Sequence, residues 1–443
     1  MRIQLSDHFT FMRLIKFVFP SVMMMLFTSI YGVIDGLFVS NFAGKTPFAA
    51  INLIMPLLMG LGTIGFMIGT GGSAIVSKTL GKGDRNKANR YFSALVWSTI
   101  IIGLLLTIPG LIWLRPIAAA LGAEEQMMND CIIYGSILLS FQTAFMLQNV
   151  FQSFFITAEK PTLGLGITVT AGCTNIVLDA LFVAVFHWGT AGAAAATVIS
   201  QCVGGILPLF YFARKNDSLL QIVKPAFELN MLIKVCTNGS SELMTNLSLS
   251  LVNILYNFQL IKMAGENGIA AYGVIMYVNF IFLAVFIGYS IGIAPVIGFH
   301  YGEENHNELK NLLRKSMVLI GAAGIFLTCF AELLAKPLSL IFVSYDKTLL
   351  IMTCRGFQIY SISFLITGFN IFGSAFFTAL NNGFVSAAIS FLRTLLFQVI
   401  CILFLPVLWG IDGIWLAITF AEISAAAVTF FFLVNKRKVY SYN

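Results

Sequence analysis

The sequence predicts an all-α polytopic membrane protein of twelve spans in two pseudo-symmetric six-helix bundles. Three observations predict it. The first is composition: 58% of the 443 residues are hydrophobic and only 10% are charged, against about 25% charged in soluble domains. No soluble core of this size buries so much apolar surface. The second is a division into twelve apolar runs, each near the ~20 residues a spanning helix needs. The third is an internal repeat. Shifted by 221 residues without a gap, Phe42-Ala43-Gly44 falls on Met263-Ala264-Gly265, Gly81 on Gly302, and Trp188-Gly189 on Trp409-Gly410. Phe151, Ser153, Phe155, Thr157 and Ala158 likewise fall on Phe372, Ser374, Phe376, Thr378 and Ala379. The chain is therefore two copies of one unit.

In order, the expected spans are 14–40, 48–77, 91–114, 131–155, 162–187 and 190–213, then 232–261, 269–298, 316–335, 350–378, 384–408 and 413–434. They are read as helices because a lipid-exposed backbone must satisfy its own hydrogen bonds. The first span follows Arg2, Arg13 and Lys16 without a small-residue cleavage site, so no cleavable signal peptide is expected. Residues 1–213 form the N-terminal lobe, 214–231 a polar linker and 232–443 the C-terminal lobe. With the N-terminus placed in the cytoplasm, 19 Lys and Arg fall on the inner side against 5 on the outer. Both termini are then cytoplasmic, and the two copies run parallel about an axis along the membrane normal. The excess charge of +7 belongs to cytoplasmic loops, which points to topology rather than nucleic acid. The seven cysteines contain no C-x-x-C and read as small buried hydrophobes. Prolines inside spans (Pro20, Pro56, Pro208, Pro295, Pro406) and the glycines of span two suit close helix packing or bending during a cycle.

Few ionisable groups fall within spans: Asp35, Asp179, Glu242, Arg393 and Glu422. Each is costly in lipid and usually faces a cavity or a partner. Asp35 sits two-thirds along span one, one turn after Tyr31, and Asp179 sits at a comparable height in span five, one turn after Asn175. Two carboxylates close together in a poorly solvated place cannot both ionise easily, which makes them a proton site near physiological pH. With Asn175 and Thr197 the same oxygens suit Na+. At the 221-residue shift Asp35 becomes Tyr256, and Asn175 and Asp179 become Leu396 and Ile400; packing needed by both copies should appear in both, so the acids mark a specialised N-terminal site. Glu242, Asn246, Asn253 and Asn257 share one face of span seven, and Glu242 and Arg393 lie at one depth, so a buried ion pair between them is expected. Gln142, Asn149 and Gln152 form a polar stripe on span four. They join Glu242, Asn246 and Asn253 as the candidate substrate cavity. Glu422 reads as structural, and His187, His300 and His306 as solvated at helix ends or in loops. There is no Walker lysine motif, metal-ligand cluster or catalytic triad. An ion gradient rather than ATP is the expected energy source, with no cofactor and no enzymatic activity.

The segment Ile34-Asp35-Gly36-Leu37-Phe38-Val39, the loop Ser77-Lys78-Thr79-Leu80-Gly81-Lys82-Gly83-Asp84 and Asn175-Ile176-Val177-Leu178-Asp179 resemble the multidrug and toxic compound extrusion (MATE) transporters, over nearly the whole chain. The span-one Asp together with the span-five Asn-x-x-x-Asp is the specific part. The resemblance implies a V-shaped pair of bundles with alternating access, and H+- or Na+-coupled antiport of bulky, often cationic, organic compounds. It places Tyr31, Asp35, Asn175, Asp179 and Thr197 at the N-lobe cation site of the DinF-like bacterial branch. Where relatives carry a C-lobe acid it lies deeper than Glu242, near Asn246, so a C-lobe ion site does not carry over. The expected setting is a monomer in the bacterial cytoplasmic membrane, with small organic cations or drugs as cargo. Two alternatives remain open. A major facilitator-type transporter shares the two parallel halves, but the loop Gly81-Lys82-Gly83-Asp84-Arg85-Asn86-Lys87 lacks that family's Gly-Arg-Arg ending. A flippase for a lipid-linked oligosaccharide needs several cavity cations, and only Arg393 sits well within a span.

Overall fold

The computed structural model describes residues 3–123, 125–343 and 346–442, without the side chains of Lys45, Glu125, Gln126 and Ile341. Arg2 and the Lys45 side chain, both used in the orientation count, lie outside the described residues. The described chain is helical almost throughout, in the expected order. Span one is Phe11–Phe38, extended by a π-helical turn Val39–Ala43. Span two is Lys45–Gly81 and span three Arg85–Ala120. Span four is a bent pair, Glu125–Ser140 and Gln142–Thr157, with 55° between its arms. Span five is Pro161–Asp179 with a π segment Ala180–Val185, and span six is Gly189–Ala213.

The second lobe repeats this plan. Spans seven and eight form one run, Leu229–Gly302, broken at Gly265. Span nine is His306–Val343, and span ten is the bent pair Lys347–Ser361 and Phe364–Ala379, at 49°. Span eleven begins at Gly383–Phe391, passes through the π segment Leu392–Leu396 and continues into Phe397–Tyr440, which breaks at Gly410 to start span twelve. The breaks explain two of the repeated dipeptides. Gly44 and Gly265 have φ of 103° and 61°, and Gly189 and Gly410 have 56° and 59°. Only glycine adopts such angles without strain, so matching turns need it in both copies. Several helices outrun their expected limits (span nine by ten residues at its start) because polar helix ends continue past the lipid into water.

Packing follows the membrane rule that small residues let backbones meet. Span two lies along spans seven and eight, and this seam joins the lobes. At its terminal-side end a Cβ on Gly81 would sit 2.0 Å from the Phe299 carbonyl, and one on Gly302 would sit 2.1 Å from that of Lys78. Both pairs are related by the 221-residue shift, so the pseudo-two-fold axis runs between them. Gly288 and Gly292 of span eight meet the backbone of Val22 and the side chain of Ser21 in span one. Gly32, Gly36 and Gly60, further along the same spans, have open space instead. The lobes are thus sealed where the termini lie and separate towards the opposite side. Span three presents Leu104, Leu105, Ile108 and Ile112 outward, an apolar stripe suited to lipid.

Two expectations need correction. His300 is buried, at 1% exposure, because the N-terminal segment covers the end of span eight; His187 and His306 are exposed. The cysteines are free, but only Cys131 is buried, while Cys173, Cys236 and Cys329 are exposed. They sit on outward helix faces, where an apolar side chain meets lipid rather than core.

Candidate functional site

Span one and span five are brought together by Gly172, whose missing side chain leaves room for the rings of Phe27 and Tyr31. Two turns beyond Gly172, Asp179 faces Asp35, and the two carboxyl groups interact directly. Asp179 is fully buried and Asn175 nearly so. Neither acid has an ion-pair partner among the described residues. Both Asp179 oxygens, Asp35 Oδ1, Asn175 Nδ2 and Thr197 Oγ1 are buried without a hydrogen-bond partner. The Tyr31 phenol neighbours Asp35, Thr28 and, from span four, Gln148. All five residues expected at the cation site therefore converge in the half of the N-terminal lobe remote from the termini.

Orphaned buried oxygens are costly, and two facing carboxylates repel. A proton shared between them, or a small hard cation held by oxygens, relieves both problems. No third His, Cys, Asp or Glu joins the pair among the described residues.

Two neighbours escaped the sequence reading. Tyr134 stands beside both acids and Thr197, and Gln148 packs its side chain on Gly204 of span six. Gln142, Asn149 and Gln152 are all buried on the second arm of span four, beyond the bend at Phe141, and it is Gln148 of the same arm that reaches Tyr31. Each of the three π segments adjoins an intramembrane charge: Val39 N–H bonds the Asp35 carbonyl, Asp179 directly precedes the second, and Arg393 lies in the third. Such bulges recur at functional positions.

The C-terminal lobe holds a different arrangement. The expected Glu242–Arg393 ion pair is not formed. Arg393 Nε instead donates to Glu422 Oε1 at 2.8 Å and to Oε2 at 3.1 Å, and Asn370 Nδ2 donates to Oε2 at 2.7 Å. Asn370 holds the fully buried Glu422 carboxylate beside the guanidinium, while Glu242 lines the same cavity without an ion pair to Arg393 among the described residues. Of the candidate cavity residues, Glu242 and Asn253 line that space. Gln142, Asn149, Gln152 and Asn246 do not. Gln142 donates to the Leu58 carbonyl and Asn246 to the Glu242 carbonyl, so both are spent on helix contacts. In place of an acid, Tyr256 stacks on Tyr272 with ring centres 4.8 Å apart, and the Tyr272 hydroxyl donates to Asn253 Oδ1.

Twelve spans in two repeated lobes among the described residues, with a buried acid pair in the first and an amphiphilic cavity lined mostly by the second and also by Thr70, Ser73 and Ser153 of the first, define the class: a two-lobed, multi-pass membrane transporter. The MatE family model matches residues 20–181 and again residues 243–403, once per lobe, and the chain belongs to that family, whose members are transporters and not enzymes. It is 24% identical to the multidrug export protein MepA of Staphylococcus haemolyticus over 430 residues, 96% of this chain and 94% of that one. MepA of Staphylococcus aureus strain MRSA252 is 23% identical over 438 residues, with the same coverage. Among solved structures, the outward-facing conformation of a multidrug resistance MATE family transporter of the MOP superfamily superposes with a TM-score of 0.92, at 22% identity, covering 97% of this chain and 96% of that one. A MATE in complex with MaL6 gives 0.91 at 22% identity and 97% of both chains.

Proposed function

We propose that this protein is a secondary active exporter, exchanging H+ or Na+ for organic, mostly cationic, compounds across the bacterial cytoplasmic membrane. The observation that carries the reading is the buried Asp35–Asp179 pair with no counter-charge among the described residues. Tyr31, Asn175 and Thr197 complete its shell. The positive-inside rule puts both termini in the cytoplasm, so the sealed end is cytoplasmic and the separated end faces outward. Ion entry from outside neutralises the pair and lets span one repack. Cargo binding then weakens and cargo leaves; the ion is released inward when the lobes reverse. Coupling needs ion and cargo to prefer opposite states. One chain carries both lobes, and a monomer suffices for this cycle. Vesicle transport with pH and sodium gradients imposed separately tests the reading. Asp35→Asn abolishes efflux while the protein stays folded in the membrane; efflux at the wild-type rate in that variant removes the assigned role.

A further inference from the structure

The first arm of span four packs on span six, and at the end of the N-terminal lobe remote from the termini it carries a carboxylate outside the acid pair. Asp130 lies near the start of that arm and accepts a hydrogen bond at 2.7 Å from Thr190 Oγ1, at the start of span six. It is half-buried and has no ion-pair partner among the described residues. Arg115, towards the same end of the neighbouring span three, is exposed and forms no ion pair with it. Helical spacing leads from this carboxylate to the acid pair, because residues four and seven apart share a helix face. Four residues after Asp130 comes Tyr134, buried beside Asp35, Asp179 and Thr197. Seven residues after Thr190 comes Thr197, whose Oγ1 is buried without a hydrogen-bond partner. At 1.5 Å per residue these steps descend about 6 Å and about 10 Å into the lobe. The surrounding packing is apolar, with Cys131, Val183, Ala193 and Ala194 buried in one cluster with Tyr134. Asp179 is itself fully buried, so an ion reaching it gives up water on the way, and polar groups one or two turns apart lower that cost.

We propose that Asp130, held by Thr190, is the loading station at which the coupling ion enters the N-terminal lobe from outside, on its way past Tyr134 and Thr197 to Asp35 and Asp179. This rests on the antiport reading above and on the orientation given there. Charge is what assigns the role. An uncompensated carboxylate at the mouth of a low-dielectric passage raises the local concentration of cations. The hydrogen bond to Thr190 alone needs no charge, since an amide oxygen accepts it equally well. A loading station sets how much external ion is needed to fill the pair. It does not set the rate once the pair is full, which belongs to the movement of the lobes.

Ethidium efflux from preloaded cells, followed against external H+ at fixed Na+ and against external Na+ at fixed pH, tests the proposal. Asp130→Asn keeps an acceptor for Thr190 and removes the charge. The concentration of the driving ion at half-maximal rate then rises about fivefold or more, within the range that focused charge gives to counter-ion capture, and the maximal rate stays within about twofold of wild type. Asp130→Glu, which keeps the charge, stays close to wild type in both. Asp130→Cys, in a background lacking the native cysteines, serves if the asparagine variant does not fold: attaching an ethylsulfonate to the thiol lowers the half-saturating concentration and attaching an ethylammonium raises it. An unchanged half-saturating concentration in Asp130→Asn, a fall in maximal rate alone, or equal effects of the two thiol adducts overturns the assignment and leaves Asp130 as a tie between spans four and six. None of these results touches the antiport reading, which fails instead if wild-type efflux responds to neither ion.

Discussion

At the residue scale, Arg393 and Glu422 show how a buried charge constrains substitution. Removing one partner of a buried pair costs about 3–5 kcal/mol, because the other charge is stranded. Arg393→Gln should therefore lower the apparent melting temperature in detergent clearly, and Arg393→Gln with Glu422→Gln should recover most of it. Melting of the single variant at the wild-type temperature would show that Asn370 alone satisfies Glu422. Asp35, Asp179 and Asn175 were legible in the sequence, since charges and amides stand out within apolar runs and helical spacing sets their relative faces. The partner of Arg393 was not. Depth along a helix is readable, and it matched Glu242 to Arg393, but which neighbouring helix turns its acid towards the guanidinium depends on rotation. Tyr134 and Gln148 escaped for the same reason.

At the scale of elements, the glycine pair Gly81 and Gly302 controls how closely spans two and eight approach. A Cβ at Gly302 would overlap the Lys78 carbonyl, a backbone atom that cannot rotate aside, and overpacking of this kind costs about 1–3 kcal/mol. Gly302→Ala should lower thermal stability and widen the gap between spin labels on the terminal-side ends of spans two and eight. Gly273→Ala, where nothing lies within 4 Å, should do neither. The repeat exposed Gly81 and Gly302 as equivalent, and Gly44, Gly265, Gly189 and Gly410 as turn positions. It carried no sign that Gly81 and Gly302 would each meet the other lobe's helix. The π segments were equally invisible, since one extra residue in a helical turn leaves no compositional trace.

On the scale of the whole molecule, the N-terminal segment straps the lobes together. Leu5 N–H donates to Glu159 Oε1 of the first lobe at 2.7 Å, and Phe9 N–H donates to Glu308 Oε1 of the second at 2.9 Å. His8 Nδ1 approaches Glu308 Oε2 at 2.6 Å, and Leu5 and Phe9 are fully buried. Opening of the terminal side must break these bonds, and a hydrogen bond to a charged group contributes about 1.5–3 kcal/mol. Glu308→Ala should therefore raise the population open on that side by about tenfold. Labelling of Ser77→Cys by an impermeant thiol reagent, in a background lacking the native cysteines, reads that population; Ser77 is fully buried beside Gly298 at the lobe seam. An unchanged labelling rate would show that the strap does not hold the gate.

The amino-acid sequence by itself determined the helical membrane class, the duplicated six-span unit and the identity of the acid pair. These follow from hydropathy, helical period and repeat, which are properties of position along one chain. The tertiary structure alone decided that Glu422 rather than Glu242 holds Arg393, that Leu5, His8 and Phe9 bridge the lobes, and that the lobes close at the terminal side. Each of those outcomes depends on how one helix is rotated and bent against another. Rotation and bending are set by contacts between segments far apart in sequence, and no local pattern records them.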